Sequence, residues 1–126
     1  MSGAVTVAFP AETLNVALAR TVAAAMAARA DLTIDQLEDV RLAVDEAVSQ
    51  LIADASPDAT VTCAFEAGAG TLSITVTART RTGATPATDT FSWTVMRALV
   101  DSVAATTDGG EVRLDLRIAR ALPVEA

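Results

Sequence analysis

Three segments of this chain alternate apolar with polar or small residues at a period of two. The first segment has Val61, Cys63 and Phe65 on one side, and the others run over Leu72–Val76 and Val112–Ile118. Such alternation predicts strands that bury one face only. One-sided strands need a cover, so helices must lie on the apolar face of the sheet.

Three other segments place apolar residues three and four positions apart, which predicts amphipathic helices. The first helix is predicted over Ala11 to Ala30 and the last over Ser92 to about Val103. The predicted buried stripe of the first helix consists of Leu14, Leu18, Val22, Ala25 and Met26. The last helix follows a polar stretch from Arg79 to Thr90 that predicts a long loop.

The middle helix carries its own start signal. Thr33 stands three residues before Gln36, as in a capping box, and Leu32 and Leu37 are spaced as a hydrophobic staple. The predicted buried stripe is Leu37, Val40, Val44, Val48 and Leu51. Ser56-Pro57 marks the exit from this helix.

The remaining segments complete a nine-element order. Residues 3–9 predict a strand ended by Pro10, and the link Ala67–Gly70 predicts a hairpin rather than a phosphate loop, because a strand follows it. The turn Asp108-Gly109-Gly110 predicts a short strand near Ala104 to Thr107. We therefore expect one α/β domain over 1–126, a two-layer sandwich whose mostly antiparallel, mixed sheet carries three helices on one face.

The composition excludes several classes of function. The chain has no histidine, which excludes Ser-His-Asp and Cys-His catalysis and most zinc sites. Its formal net charge of −7 opposes direct nucleic-acid binding. The single cysteine, Cys63, allows no intramolecular disulfide and is predicted to be a small buried hydrophobe. With no signal peptide and no membrane span in the sequence, we expect a cytoplasmic protein.

Two carboxylates of the middle helix are candidates for chemistry. Asp45 and Glu46 are adjacent and point in different directions, so they do not form a carboxylate pair. Glu46 and Gln50 lie one turn apart on one face, where Glu46 could act as a general base. The same spacing is also that of a solvated helix face, and spacing alone leaves both interpretations open.

The segment Arg41–Gln50 resembles the N-box of the Bergerat-fold, histidine-kinase-like ATPases. Within them the chain resembles the actinobacterial RsbW-type anti-sigma factors over roughly Val5 to Ile118. The matching motifs are Leu42-Ala43-Val44-Asp45-Glu46, Leu51-Ile52, Pro57-Asp58-Ala59-Thr60, Phe91-Ser92-Trp93, and Ala98-Leu99 with Asp101 and Val103. The order of predicted elements is similar too.

The resemblance implies a regulator of transcription in a stress response. Such a domain is similar to a serine-protein kinase, sequesters an alternative sigma factor, and is released by an anti-anti-sigma factor. It implies that Arg20 and Val16 contact these protein partners. It also implies a homodimer, formed through the strand and helix between Val5 and Arg20.

The resemblance further implies a site for ATP and magnesium at Glu46, Gln50 and Gly83. At this site the sequence differs from the family's motifs. Gln50 replaces the asparagine that serves as a magnesium ligand, and residues 79–84 contain no aspartate and one glycine, Gly83. Phe91-Ser92-Trp93 replaces the glycines that approach the phosphates. We therefore expect no cofactor, with Glu46 a remnant base, and lean against enzymatic activity.

Three hypotheses follow from these observations. The leading one is an anti-sigma factor that works by direct binding. The second is an active serine-protein kinase, which requires phosphate transfer to an anti-anti-sigma factor that disappears in Glu46→Ala. The third is a dimerisation module without a sigma partner.

Overall fold

The computed structural model describes residues 3–121 and has the predicted order of elements. The strands are β1 (Val5–Pro10), β2 (Thr60–Ala67), β3 (Thr71–Arg79), β4 (Ser102–Asp108) and β5 (Glu111–Ala119). The helices are α1 (Val16–Arg29), α2 (Ile34–Ala53) and α3 (Phe91–Leu99), and a 3₁₀ turn over Thr13–Asn15 precedes α1. No helix within residues 3–121 has both the length and the apolar character needed to cross a membrane.

The sheet has the strand order β1-β2-β3-β5-β4. All four pairings between neighbours are antiparallel, so the expectation of a mixed sheet is wrong. The connection through α3 does return β4 parallel to β3. However, β5 inserts between the two strands, and no parallel pair becomes adjacent.

The strands have the predicted faces. Residues Val61, Cys63 and Phe65 of β2 are fully buried, and the alternating apolar residues of β3 and β5 are at most 3% exposed. Helix α2 lies between α1 and α3, α1 packs on β2, and α2 packs on β2 and β3. The opposite face of the sheet is uncovered within residues 3–121 and carries mainly Ser, Thr and charged side chains. This confirms the two-layer architecture.

Helix α2 begins with the predicted capping box. The Thr33 hydroxyl accepts a bond from the Gln36 N–H at 3.1 Å, and the Gln36 side chain accepts one from the Thr33 N–H at 3.1 Å. Val40, Val44 and Val48 are fully buried, as predicted. Such a cap stabilises a helix by about 1 kcal/mol.

Helix α1 buries only part of its predicted stripe, since Met26 is buried and Val22 packs against the core. Leu14 is 75% exposed and Leu18 is 52% exposed, and Ala25 also faces solvent. The buried residues of α1 are Val16, Ala19, Ala23, Met26 and Ala27. Small side chains let α1 approach α2 closely, whereas leucines in the same place would hold the two helices apart.

The end of α3 was also predicted incorrectly. The helix stops at Leu99 because Val100 is extended, with φ −130° and ψ 169°. Val103, predicted as helical, pairs with Leu116 in β4, so β4 is longer than the predicted Ala104–Thr107. Gly109 and Gly110 close the β4–β5 hairpin with φ values of 59° and 87°, as a type I′ turn requires.

Candidate functional site

Asp45 and Glu46 have different partners, as their adjacent positions on α2 predict. Asp45 faces α1, where its Oδ1 lies 3.3 Å from Nη1 of Arg20. Glu46 faces α3, where its Oε2 accepts a 2.8 Å hydrogen bond from the Ser92 hydroxyl. The two carboxylates therefore link α2 to both neighbouring helices.

The contact to Ser92 depends on how α3 starts. Thr90 caps the helix by accepting a bond from the Trp93 N–H at 3.2 Å, and Trp93 is buried. This fixes the first turn of α3 beside the middle of α2 and presents Ser92 to Glu46. Glu46, the predicted general base, is thus hydrogen-bonded by a side chain of its own domain.

Gln50 lies one turn further along α2, on the wall of a small cavity of about 170 Å³. Its Oε1 is buried and has no hydrogen-bond partner within residues 3–121. The cavity is lined by Gln50, Leu51, Asp54, Thr80, Thr82, Ala84, Thr85, Pro86 and Val112. Of the three residues predicted to bind a nucleotide, only Gln50 lines it; Glu46 and Gly83 do not.

Hydrogen bonds hold the loop after β3 across this cavity. The Thr82 hydroxyl donates to the Asp54 carboxylate at 2.7 Å, and the Arg81 N–H donates to the Asp54 carbonyl at 2.8 Å. Gly83 donates its N–H to the Thr80 hydroxyl at 2.9 Å. Gly83 has a φ of 63°, and an added Cβ would lie 3.1 Å from the Gly110 Cα, so this glycine lets the loop touch the β4–β5 turn.

The cavity beside Gln50 is small, and no residue that lines it carries a positive charge. Ligand pockets usually measure about 300–1,000 Å³, whereas this cavity holds about 170 Å³. Its one charged side chain is the Asp54 carboxylate, which would repel phosphate.

The exposed side of α1 is a second candidate site. Leu14 of the preceding 3₁₀ turn forms an uncharged exposed stripe with Ala17, Leu18, Thr21 and Ala25 of α1, and we name this stripe the α1 face. Arg20 lies at the edge of this face with its side chain 38% exposed. Val16, predicted as a partner contact, is 7% exposed and packs in the core, so its side chain is not available on the surface.

The apolar spacing of the first helix does not reveal Leu14 and Leu18 as surface residues. A signal was present in the spacing of Ala19, Ala23 and Ala27, a small-residue stripe typical of close helix packing. Both leucines belong to the apolar stripe on the other side of the helix. An exposed apolar stripe of this kind is typical of a protein-binding surface.

Cys63 is fully buried in β2, as predicted. Desolvation by burial raises the pKa of its thiol from 9.0 to about 12. The thiol therefore stays protonated at neutral pH and does not serve as a nucleophile.

Comparisons with known proteins identify relatives of this chain. Two curated relatives, the anti-sigma-F factors RsbW of two Mycobacterium tuberculosis strains, are 38% identical over 95 residues. The match covers 75% of this chain and 56% of each relative, so the chain spans little more than half of their length.

The solved structures show the same fold. The crystal structure of the RsbU and RsbW domains of a Mycobacterium tuberculosis protein superposes with a TM-score of 0.71 at 18% identity, covering 96% of this chain and 35% of that one. The model of the histidine kinase-like ATPase domain matches residues 9–118. The chain therefore belongs to the histidine kinase-like ATPase domain family.

Proposed function

We propose that this protein is an anti-sigma factor that binds an alternative sigma factor directly and is released by an anti-anti-sigma factor. The observation that carries the proposal is the α1 face, where Leu14 and Leu18 are exposed to solvent and Arg20 lies at the edge. Exposed apolar patches with a polar rim mark protein-interaction sites, and arginine is enriched in protein interfaces. The identity with proteins named anti-sigma-F factor supports the choice of partner.

We further propose that binding needs no nucleotide. The cavity beside Gln50 has neither the room nor the positive charge for a triphosphate, and Glu46 is held by Ser92. Glu46 then joins α2 to α3 and does not act as a base. The protein would act in the cytoplasm, where sigma factors work, without spanning a membrane.

The test is calorimetric titration of the protein with each purified alternative sigma factor of the source organism. We expect one of them to bind, and Leu18→Asp to weaken that affinity about thirtyfold, because central interface residues cost about 2 kcal/mol or more. Addition of the anti-anti-sigma factor should release the sigma factor. Affinity should be the same with and without ATP and magnesium.

Ile34→Asp is the matched control. Ile34 is 83% exposed at the start of α2, at the opposite end of the α1–α2 pair from Leu14 and Leu18. This variant should bind like the wild type. Absence of binding to every sigma factor, or an equal loss in both variants, would contradict the proposal, and an ATP-dependent affinity would favour the kinase alternative.

A further inference from the structure

The cavity beside Gln50 contains a hydrogen-bond acceptor that the domain itself does not use. The Oε1 atom of Gln50 is buried and accepts no hydrogen bond within residues 3–121. A buried acceptor without a donor destabilises a fold, and such groups are rare in folded proteins. An unpaired acceptor on the wall of a cavity indicates a place where a donor from another molecule can bind.

Asp54 provides a second acceptor on the same wall. It follows Gln50 by four residues at the end of α2, so the two side chains are neighbours one turn apart, with roughly 5–6 Å between their Cβ atoms. The Thr82 hydroxyl donates to its Oδ2 at 2.7 Å. A carboxylate has about four acceptor positions, so this one can accept further bonds. The wall therefore presents two acceptors and a negative charge.

The rest of the lining is suited to the apolar part of a ligand. Leu51 and Val112 line the cavity and are 1% exposed, and Pro86 lines it from the loop after β3. No arginine or lysine is among the lining residues, so no positive side chain of the cavity competes for the two acceptors. The formal net charge of −7 adds an attraction for cations from a longer distance.

The volume of the cavity limits the ligand to a small molecule. Its volume of about 170 Å³ is close to that of an apolar protein cavity of roughly 150 Å³ that binds benzene. Larger organic ligands usually occupy pockets of about 300–1,000 Å³. The cavity therefore has room for about one six-membered ring or a short alkyl chain.

We propose that this cavity binds a small organic cation with N–H donors, of the amidine or guanidine class. A planar amidinium has two N–H groups side by side, so one donates to Gln50 Oε1 while the other donates to the Asp54 carboxylate. The ring or alkyl part packs against Leu51 and Val112. The charge of this ligand is opposite to that of a nucleotide, and its site does not depend on which protein binds the α1 face.

Amide NMR titration of the protein with benzamidine tests the site. We expect saturable shifts confined to residues around the cavity, such as Leu51 and Thr82. A dissociation constant of about 1 mM or tighter is expected for a ligand of one ring. Benzamide has the same ring without the charge, and it should bind at least about tenfold more weakly. Equal binding of the two ligands, or displacement of benzamidine by ATP with magnesium, would overturn the proposal.

Two substitutions remove one contact each. Asp54→Asn and Gln50→Met should each weaken benzamidine binding about tenfold, because each removes one acceptor of a charged hydrogen bond. The matched control is Asp35→Asn. Asp35 is exposed in the first turn of α2, at the other end of the helix from Asp54, and its loss changes the net charge equally. This variant should bind benzamidine like the wild type.

Gln50→Met also guards against misfolding. It replaces a buried unpaired acceptor with an apolar side chain of similar length, so the urea midpoint should stay the same or rise. Weaker binding at an unchanged or higher midpoint would support the proposal. Wild-type affinity in either folded variant contradicts it, as does the absence of saturable binding to the wild-type protein.

Discussion

Helices α1 and α2 pack side by side, but only α2 buries the face that its sequence pattern predicts. In α2, Val40, Val44 and Val48 are fully buried. In α1 Leu18 faces solvent, as Leu14 does in the 3₁₀ turn before it, and Ala19 and Ala23 are buried. Hydrophobicity therefore selects the buried face of α2, whereas side-chain size selects that of α1, which must approach its neighbour closely.

The consequence for function lies in what α1 leaves outside. A helix that buried its leucines would turn the small side chains of Ala19, Ala23 and Ala27 outward. By burying alanines, α1 instead keeps two large apolar side chains at 75% and 52% exposure. Exposing them costs the isolated domain hydrophobic stabilisation that a bound partner would recover.

The largest expected effect comes from enlarging the small side of α1. Ala23→Leu should lower the free energy of unfolding by about 1–3 kcal/mol, because a fully buried alanine leaves no room for three more carbons. Urea denaturation measures the change. Ala25→Leu, on the exposed side of the same helix, is the control and should stay within about 0.5 kcal/mol of the wild type.

Equal losses in these two variants would mean that α1 does not distinguish its two sides by size. A stable Ala23→Leu variant would mean that the α1–α2 contact has room for a larger side chain. Either result would remove the reason given for the exposed leucines.

The order of elements and the strand faces could be predicted because a period of two is unambiguous where Val61 and Phe65 alternate with polar neighbours. The face of α1 could not, because residues 22–28 are all apolar and fit any helical stripe. The contacts of Glu46 with Ser92 and of Arg20 with Asp45 join residues 46 and 25 positions apart, which no local pattern reveals. The position of β5 between β3 and β4 likewise follows from the whole topology.

A smaller effect concerns how each helix starts. The Thr33 side chain caps α2, whereas the residue before α1, Asn15, makes no side-chain cap. Thr33→Ala should therefore cost about 1 kcal/mol of unfolding free energy.

The control for this variant is Thr21→Ala in the exposed middle of α1. Among the described residues, 3–121, the Thr21 hydroxyl bonds only to the Ala17 carbonyl one turn earlier, and alanine is the better helix former. This variant should be neutral within about 0.5 kcal/mol in the same urea titration. A neutral Thr33→Ala would show that tertiary packing alone fixes the start of α2.

The smallest effect is expected at the ion pair between the two helices. The Arg20 and Asp45 side chains are 38% and 35% exposed, and exposed ion pairs contribute about 0–1 kcal/mol. A double-mutant cycle of Arg20→Ala and Asp45→Ala should give a coupling below about 1 kcal/mol that shrinks at high salt. A coupling above about 2 kcal/mol would make the pair a structural clamp, with Arg20 committed to α2. A weak coupling means that Arg20 can leave Asp45 for a carboxylate of a bound protein at little cost, as a residue at the rim of the α1 face must.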